Sequence, residues 1–259
     1  MIDDMTQTRT HFVTRHDQRG VAVLTLAYPP RNGLEPEVVA ELQALAEMAL
    51  LAPEVRALVI TGAGPGFASG ADLRGNVARP DPALSSLCRT IEDAHKPTVA
   101  AIHGSAIGPG LELALACHFR VAQVDTQFSF PDIALGWLPA AGGIQRLTRI
   151  VGGRAAMSAL LGGRVFGTPR AERLGLLDIV TPGAPLEAAI TRALQVNPRP
   201  TRNDATDCSG QQHRHNRSQH HNRQPNQQAC GGLGCHVQAD YSADDYLAQA
   251  ARLNRSIRG

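Results

Sequence analysis

The chain has 259 residues, 43% of them hydrophobic and 19% charged, with a formal net charge of +2. That is the make-up of an ordinary globular protein with room for a large buried core, and it offers no basic surplus of the kind nucleic-acid binding needs. No apolar run approaches the ~20 residues that span a bilayer, so neither nucleic acid nor a membrane is an expected partner. The acidic, polar start M-I-D-D-M-T-Q-T is no secretory leader, and five scattered cysteines make no disulfide framework. A reducing, cytoplasmic setting is the simplest expectation.

In chain order, Val21–Leu26 (VAVLTL) is β-branched and apolar between Gly20 and Pro29, and predicts a buried strand. Apolar residues at helical spacing predict a helix from Pro36 to Leu51, with proline suited to its first position. Ala57–Thr61 is a second strand, followed by the small-residue turn F-A-S-G-A-D from Phe67. A helix over about Pro82–Ala94 precedes a strand over Pro97–Ile102, and then comes G-S-A-I-G-P-G-L-E from Gly104. Short strands are expected near Phe119–Ala122 and Gln127–Phe130, helices near Gly142–Ile150 and Arg154–Leu161, and a last helix at Pro185–Leu194 after a helix–strand pair over Pro169–Val180. Alternating strands and helices predict an α/β fold. No long sequence repeat is visible.

The composition changes near Asn197: residues 197–232 hold no Val, Leu, Ile, Met or aromatic residue. Such a segment cannot bury a core and is expected to lack fixed structure. Its Cys and His residues fit no familiar zinc spacing, so no metal is expected. A native tail and a reading-frame change in a GC-rich gene both account for it; Lys96 is the chain's only lysine.

Chemistry concentrates in the two small-residue turns. Each follows a strand and opens a helix, so each can present unpaired backbone N–H groups to an anion, or merely allow close strand–helix packing. Glu112 lies in the first turn of the helix after Gly110, and Asp132 follows a short strand among apolar neighbours. Two carboxylates beside a backbone anion site suit acid–base work on a carbon next to a carbonyl. The alternatives are a glutamate favoured by the helix dipole and an aspartate capping a turn.

F-A-S-G-A-D-L from Phe67, G-S-A-I-G-P-G-L-E from Gly104, F-P-D-I-A-L-G from Phe130 and P-A-A-G-G-I-Q-R-L from Pro139 together resemble the crotonase (enoyl-CoA hydratase/isomerase) superfamily in order and spacing. P-P-R-N-G-L from Pro29, G-R-A-A-M-S-A-L-L-G-G-R from Gly153 and A-E-R-L-G-L-L-D-I-V ending at Val180 extend the likeness over about residues 10–195. It is closest to the hydratase/isomerase part of bifunctional β-oxidation enzymes. The resemblance implies an α/β spiral of ββα turns over residues 1–196. Where the family's C-terminal helices should begin, near residue 197, the composition instead gives a polar segment over 197–238, followed by a helical-looking stretch within 239–259. The resemblance also implies a homotrimer or hexamer that binds acyl-CoA thioesters, with coenzyme A as part of the substrate and no separate cofactor. No G-x-G-x-x-G fingerprint follows residue 195, so NAD is not implied.

By the same resemblance, Glu112 and Asp132, twenty residues apart, handle water and proton in adding water to a 2-enoyl-CoA. Ala71 and the residue at position 109 are the oxyanion donors. Arg31, Ala68, Asp72, Leu73, Arg74 and Gly108 line the substrate, Arg74 either meeting a coenzyme A phosphate or facing solvent. An isomerase would use a single carboxylate, and a degenerate homologue would bind acyl-CoA without turnover. The chain departs from the pattern at Pro109, which has no N–H and leaves Gly110 as the substitute donor, and at Asp132, one methylene shorter than the usual glutamate. His103 and His118 read as packing or surface residues, and Trp137 as pocket wall or core.

Overall fold

A computed structural model describes residues 11–70, 82–132 and 137–196. The strands and helices are β1 (Val13–Gln18), β2 (Val21–Leu26), β3 (Gly33–Leu34), α1 (Pro36–Leu51), β4 (Ala57–Gly62), β5 (Ser69–Gly70), α2 (Pro82–Glu92), β6 (Thr98–Ile102), β7 (Ser105–Ile107) and α3 (Pro109–Ala116). They continue with β8 (Phe119–Gln123), β9 (Gln127–Ser129), α4 (Gly143–Val151), α5 (Gly153–Leu161), β10 (Phe166–Gly167), α6 (Thr168–Arg173), β11 (Ile179–Thr181) and α7 (Leu186–Leu194).

Six strands form one sheet in the order β1-β2-β4-β6-β8-β11, parallel throughout except for the β1–β2 hairpin. Parallel strands covered on both faces read as continuous apolar runs, and the two faces are separated by residue parity. Ala22, Leu24, Leu58, Ile60, Ala100, Ile102 and Ala122 face the larger core with α1, α2 and α3. Val21, Val23, Val59, Val99, Ala101 and Val121 face Ala189, Ile190 and Ala193 of α7.

From β2 to β8, each strand of the main sheet is followed by a short one outside it, and then by a helix. β2-β3-α1, β4-β5-α2, β6-β7-α3 and β8-β9-α4 are successive windings of this kind, β3 pairing with β5, and β9 with both β7 and β10. The repeat lies in backbone path rather than in side chains, which is why no sequence repeat announces it. It sets the turn leading into β5 beside the one that opens α3, Ala68 bridging to Ala106.

The helix over 36–51 and the strand at 21–26 stand where the apolar spacing put them. The hairpin strand β1 was not anticipated. Only Val13 in it is buried, and its polar positions include the Arg15–Asp17 ion pair. Arg19 and Gly20, both at positive φ, make the two-residue turn into β2. The segment 197–259, with its expected polar stretch and helix, lies outside the described residues.

Candidate active site

The first turn is shaped by absent side chains and by one distant amide. A Cβ on Gly62, at the end of β4, would lie 2.2 Å from the Gly66 carbonyl oxygen and 2.3 Å from that of Phe67, so only glycine lets the loop fold back so closely. Asn32, 2% exposed and at φ 53°, reaches across from the loop before β3. Its Nδ2 donates to the carbonyls of Ala63 (2.8 Å), Gly66 (2.8 Å) and Phe67 (3.2 Å), while its Oδ1 accepts from the Tyr28 amide at 3.0 Å. The turn's own amides are engaged as well. Phe67 and Ala68 donate to Ser105, and Ser69 donates to Asn32.

The second turn lies directly beside it. Ala68 bridges to Ala106, and the Ile107 amide donates to the Ala68 carbonyl at 3.1 Å. Gly108, at φ 52°, donates its N–H to Ser129 at 2.8 Å. Pro109 then opens α3 as its first residue, the position in which a missing N–H costs the helix nothing. Gly110 follows, packed so closely on the first turn that a Cβ there would sit 2.1 Å from the Ala68 carbonyl oxygen. Among the described residues the Gly110 amide has no hydrogen-bond partner, as befits the second residue of a helix.

Glu112 sits one turn into α3 and is 2% exposed. Its Oε1 accepts two backbone hydrogen bonds, from Ala141 and Gly143, each at 2.9 Å. Gly143 is the first residue of α4, so the carboxylate lies at that helix's electropositive end. Burial nonetheless dominates and pushes the carboxyl up to about 7. The two amides hold it down against burial, the Asp132 charge pushes it further up, and Arg146 pulls it back.

Asp132 is 3% exposed, and its Oδ2 lies 3.0 Å from where a Cβ on Gly108 would stand. Gly108 is therefore required twice, by its positive φ and by the carboxylate beside it. The structure thus brings Ala68, Gly108, Pro109, Gly110, Glu112 and Asp132 to one place. Arg31 is exposed on the loop that carries Asn32, without an ion pair among the described residues. Ala71, Asp72, Leu73 and Arg74 lie outside the described residues.

Trp137 is 45% exposed, which removes it from the core. Its backbone N–H donates to the Asp132 carbonyl at 2.8 Å, and the chain there runs along the surface. His103 contacts the Gly64 carbonyl, and His118 takes the Thr98 amide on Nδ1 and faces the Glu92 carbonyl through Nε2. Both histidines have structural roles. The sequence reading missed Asn32, Ala141, Gly143 and Arg146 as parts of the site. The double glycine after Pro139 was the one available signal, since small residues before a helix mark a place where a carboxylate can approach backbone amides.

Comparison with known proteins follows from this geometry. Residues 16–228 match the family model described as Enoyl-CoA hydratase/isomerase. The chain belongs to that family. It is 42% identical over 185 residues to the peroxisomal bifunctional enzyme of Danio rerio, covering 71% of this chain and 26% of that protein. To the human peroxisomal bifunctional enzyme it is 37% identical over 182 residues, covering 70% of this chain and 25% of the relative. The chain therefore spans about a quarter of the length of these multifunctional relatives. Among solved crotonase structures, a Pseudomonas aeruginosa protein titled DspI superposes with a TM-score of 0.68 at 31% identity, covering 74% of this chain and 77% of that one. An enoyl-CoA hydratase from Bacillus anthracis gives 0.68 at 28% identity over 71% of this chain and 76% of that one. The architecture is the α/β crotonase fold.

Proposed function

We propose that this crotonase-fold chain adds water across the double bond of a 2-enoyl-CoA thioester to give a 3-hydroxyacyl-CoA. The observation that carries the reading is the pair of buried carboxylates, Glu112 and Asp132, gathered at the lip of α3 beside a Gly110 amide that has no hydrogen-bond partner among the described residues. Among the described residues Glu112 is anchored through Oε1 alone, which leaves Oε2 to orient and deprotonate the water. Its carboxyl titrates near 7, where a base has both the ionised population and the basicity that proton transfer needs. As the water oxygen bonds to the β-carbon and its proton passes to Glu112, the π electrons move to the thioester oxygen. A proton relayed by way of Asp132 reaches the α-carbon as the enolate collapses, so that the H and OH of one water are added.

The enolate oxygen then rests on backbone donors. Ala71 is the donor assigned to the first turn by the family likeness. In the second turn Pro109 removes one, and the Gly110 amide is the next along the helix, able to replace it only by a shift of the turn.

The chemistry is tested by the loss of enoyl-thioester absorbance when the purified chain is mixed with crotonyl-CoA and with longer 2-enoyl-CoAs. Consumption with formation of the 3-hydroxyacyl product supports hydration, and no consumption of any chain length overturns it. An isomerase working with one carboxylate is the competing reading. It gains support from Asp132, whose short side chain reaches less far than a glutamate. It predicts a 3-enoyl to 2-enoyl conversion that survives Asp132→Asn.

A further inference from the structure

The segment that grips Glu112 is itself gripped. Residues 141–143 enter α4 through two glycines, and each missing side chain is replaced by a charged group from elsewhere. A Cβ on Gly142 would lie 2.6 Å from Nη1 of Arg146, and one on Gly143 would lie 2.6 Å from Cγ and 2.8 Å from Oε1 of Glu112. The backbone thus runs as a thin partition with the guanidinium on one side and the carboxylate on the other.

Arg146 is 8% exposed and folds back over the start of its own helix. That is a poor place for a buried cation, because the helix N-terminus is electropositive and desolvation costs several kcal/mol. Three acceptor contacts offset this. Nη1 donates to the Ala141 carbonyl, and Nε and Nη2 both reach Oε2 of Glu92 on α2, at 2.9 and 2.7 Å. The Ala141 peptide therefore has its carbonyl held by Arg146 while its N–H is given to Glu112. A surface clip between α2 and α4 would not need this burial. Arg149 already makes one, donating to Oε1 of Glu92 at 2.9 Å from a largely exposed position.

We propose that Arg146 is a positioning residue for Glu112: it fixes the Ala141–Gly143 segment whose amides orient the carboxylate, and it sets a buried cation behind that segment. This rests on the reading of Glu112 as the base. The other groups around α3 do not duplicate it. Asp132 is a carboxyl group and offers no cation, the Cys88 thiol on α2 is held neutral by burial, and Glu92 is occupied by its two arginines. The strands packed on α3, namely β3, β5, β6 and β7, carry no titratable side chain.

The test follows the carboxyl carbon of Glu112 by 13C NMR across pH in the full chain labelled with carboxyl-13C glutamate, the resonance being assigned by its loss in Glu112→Gln. Arg146→Gln is expected to raise the titration midpoint by about one unit, the lower end of what one nearby opposite charge does. The acidic limb of the pH–rate profile should move with it. Glu92→Gln, which frees the Arg146 charge, moves the midpoint the opposite way, and Arg146→Lys restores most of the parent's value. Equal losses of stability in Arg146→Gln and Glu92→Gln with an unmoved midpoint would mark a plain clip and overturn the proposal. If Arg146→Gln does not fold, the downward move in Glu92→Gln supports the proposal and its absence overturns it. Because the resonance needs no turnover, a chain that hydrates nothing but shows the shift keeps this inference and loses the proposed reaction. A chain that hydrates without the shift does the reverse.

Discussion

The two turns that meet at the site reach their shapes by different means. The Phe67–Gly70 turn is held from outside by Asn32, and its Phe67, Ala68 and Ser69 amides are already bonded to neighbouring carbonyls. The Gly108–Glu112 turn is held by its own backbone. Gly108 is bonded to Ser129, Pro109 has nothing to donate, and Gly110 presses on the Ala68 carbonyl. A run of Gly, Ala and Ser is thus not in itself a bank of free donors. Most of its N–H groups are occupied in making the turn, and the available ones come at its far end, where the helix begins.

The sharpest break of this comparison is at the carboxylate the second turn supports. Glu112→Gln keeps both bonds from Ala141 and Gly143 but removes the base, and kcat/KM for hydration is expected to fall by about a thousandfold. Asp132→Asn should cost a comparable factor, and a large inequality between the two in steady-state assays would favour the isomerase. Pro109→Gly adds the N–H that the second turn lacks. Restoring an oxyanion donor contributes about 3–4 kcal/mol where the donor points at the developing charge, so kcat should rise by about a hundredfold or more with little change in KM. An unchanged kcat would show that Gly110 already does this work.

Burial of Glu112 also carries a stability signature. Its folded pKa, about 7, lies above its unfolded value, so the native state binds this proton more tightly. Stability from this group is fully present at low pH and is lost as pH rises through about 7. Glu112→Gln abolishes that loss. In denaturant titrations the variant should exceed the parent by about 3 kcal/mol at pH 8, with the gap closing near pH 4. Asn32→Ala, which releases the first turn instead, leaves buried carbonyls of that loop without their donor. It should lower stability by about 2 kcal/mol and disturb the first turn while leaving the titration of Glu112 in place.

What could be read in advance divides along the same line. α1 and the buried strands were legible because apolar spacing reports directly on what a side chain touches. Glu112 and Asp132 were legible as isolated carboxylates among apolar residues, a placement that demands a reason. β3, β5, β7 and β10 were not, since strands of two or three residues exist only through partners from distant windings. Asn32 and Arg146 were hidden for a related cause. Their work is done on the carbonyls of other segments, and one Asn or Arg in a sequence does not say which carbonyl it meets. Pro109 was legible in its chemistry and its place alike, as the first helical residue without an N–H.

Gly143 has a consequence for anyone redesigning the pocket. The volume its side chain would fill is occupied by Cγ and Oε1 of Glu112, so positions 112 and 143 behave as a single choice rather than two. Alanine at 143 is blocked by glutamate at 112, whereas truncating 112 to alanine, which removes Cγ and the carboxylate together, opens the space that alanine at 143 would take. The pair should show positive epistasis in a double-mutant cycle, Glu112→Ala with Gly143→Ala being more stable than the two single effects add up to. A library that varies either position alone would record both as intolerant and miss the combination.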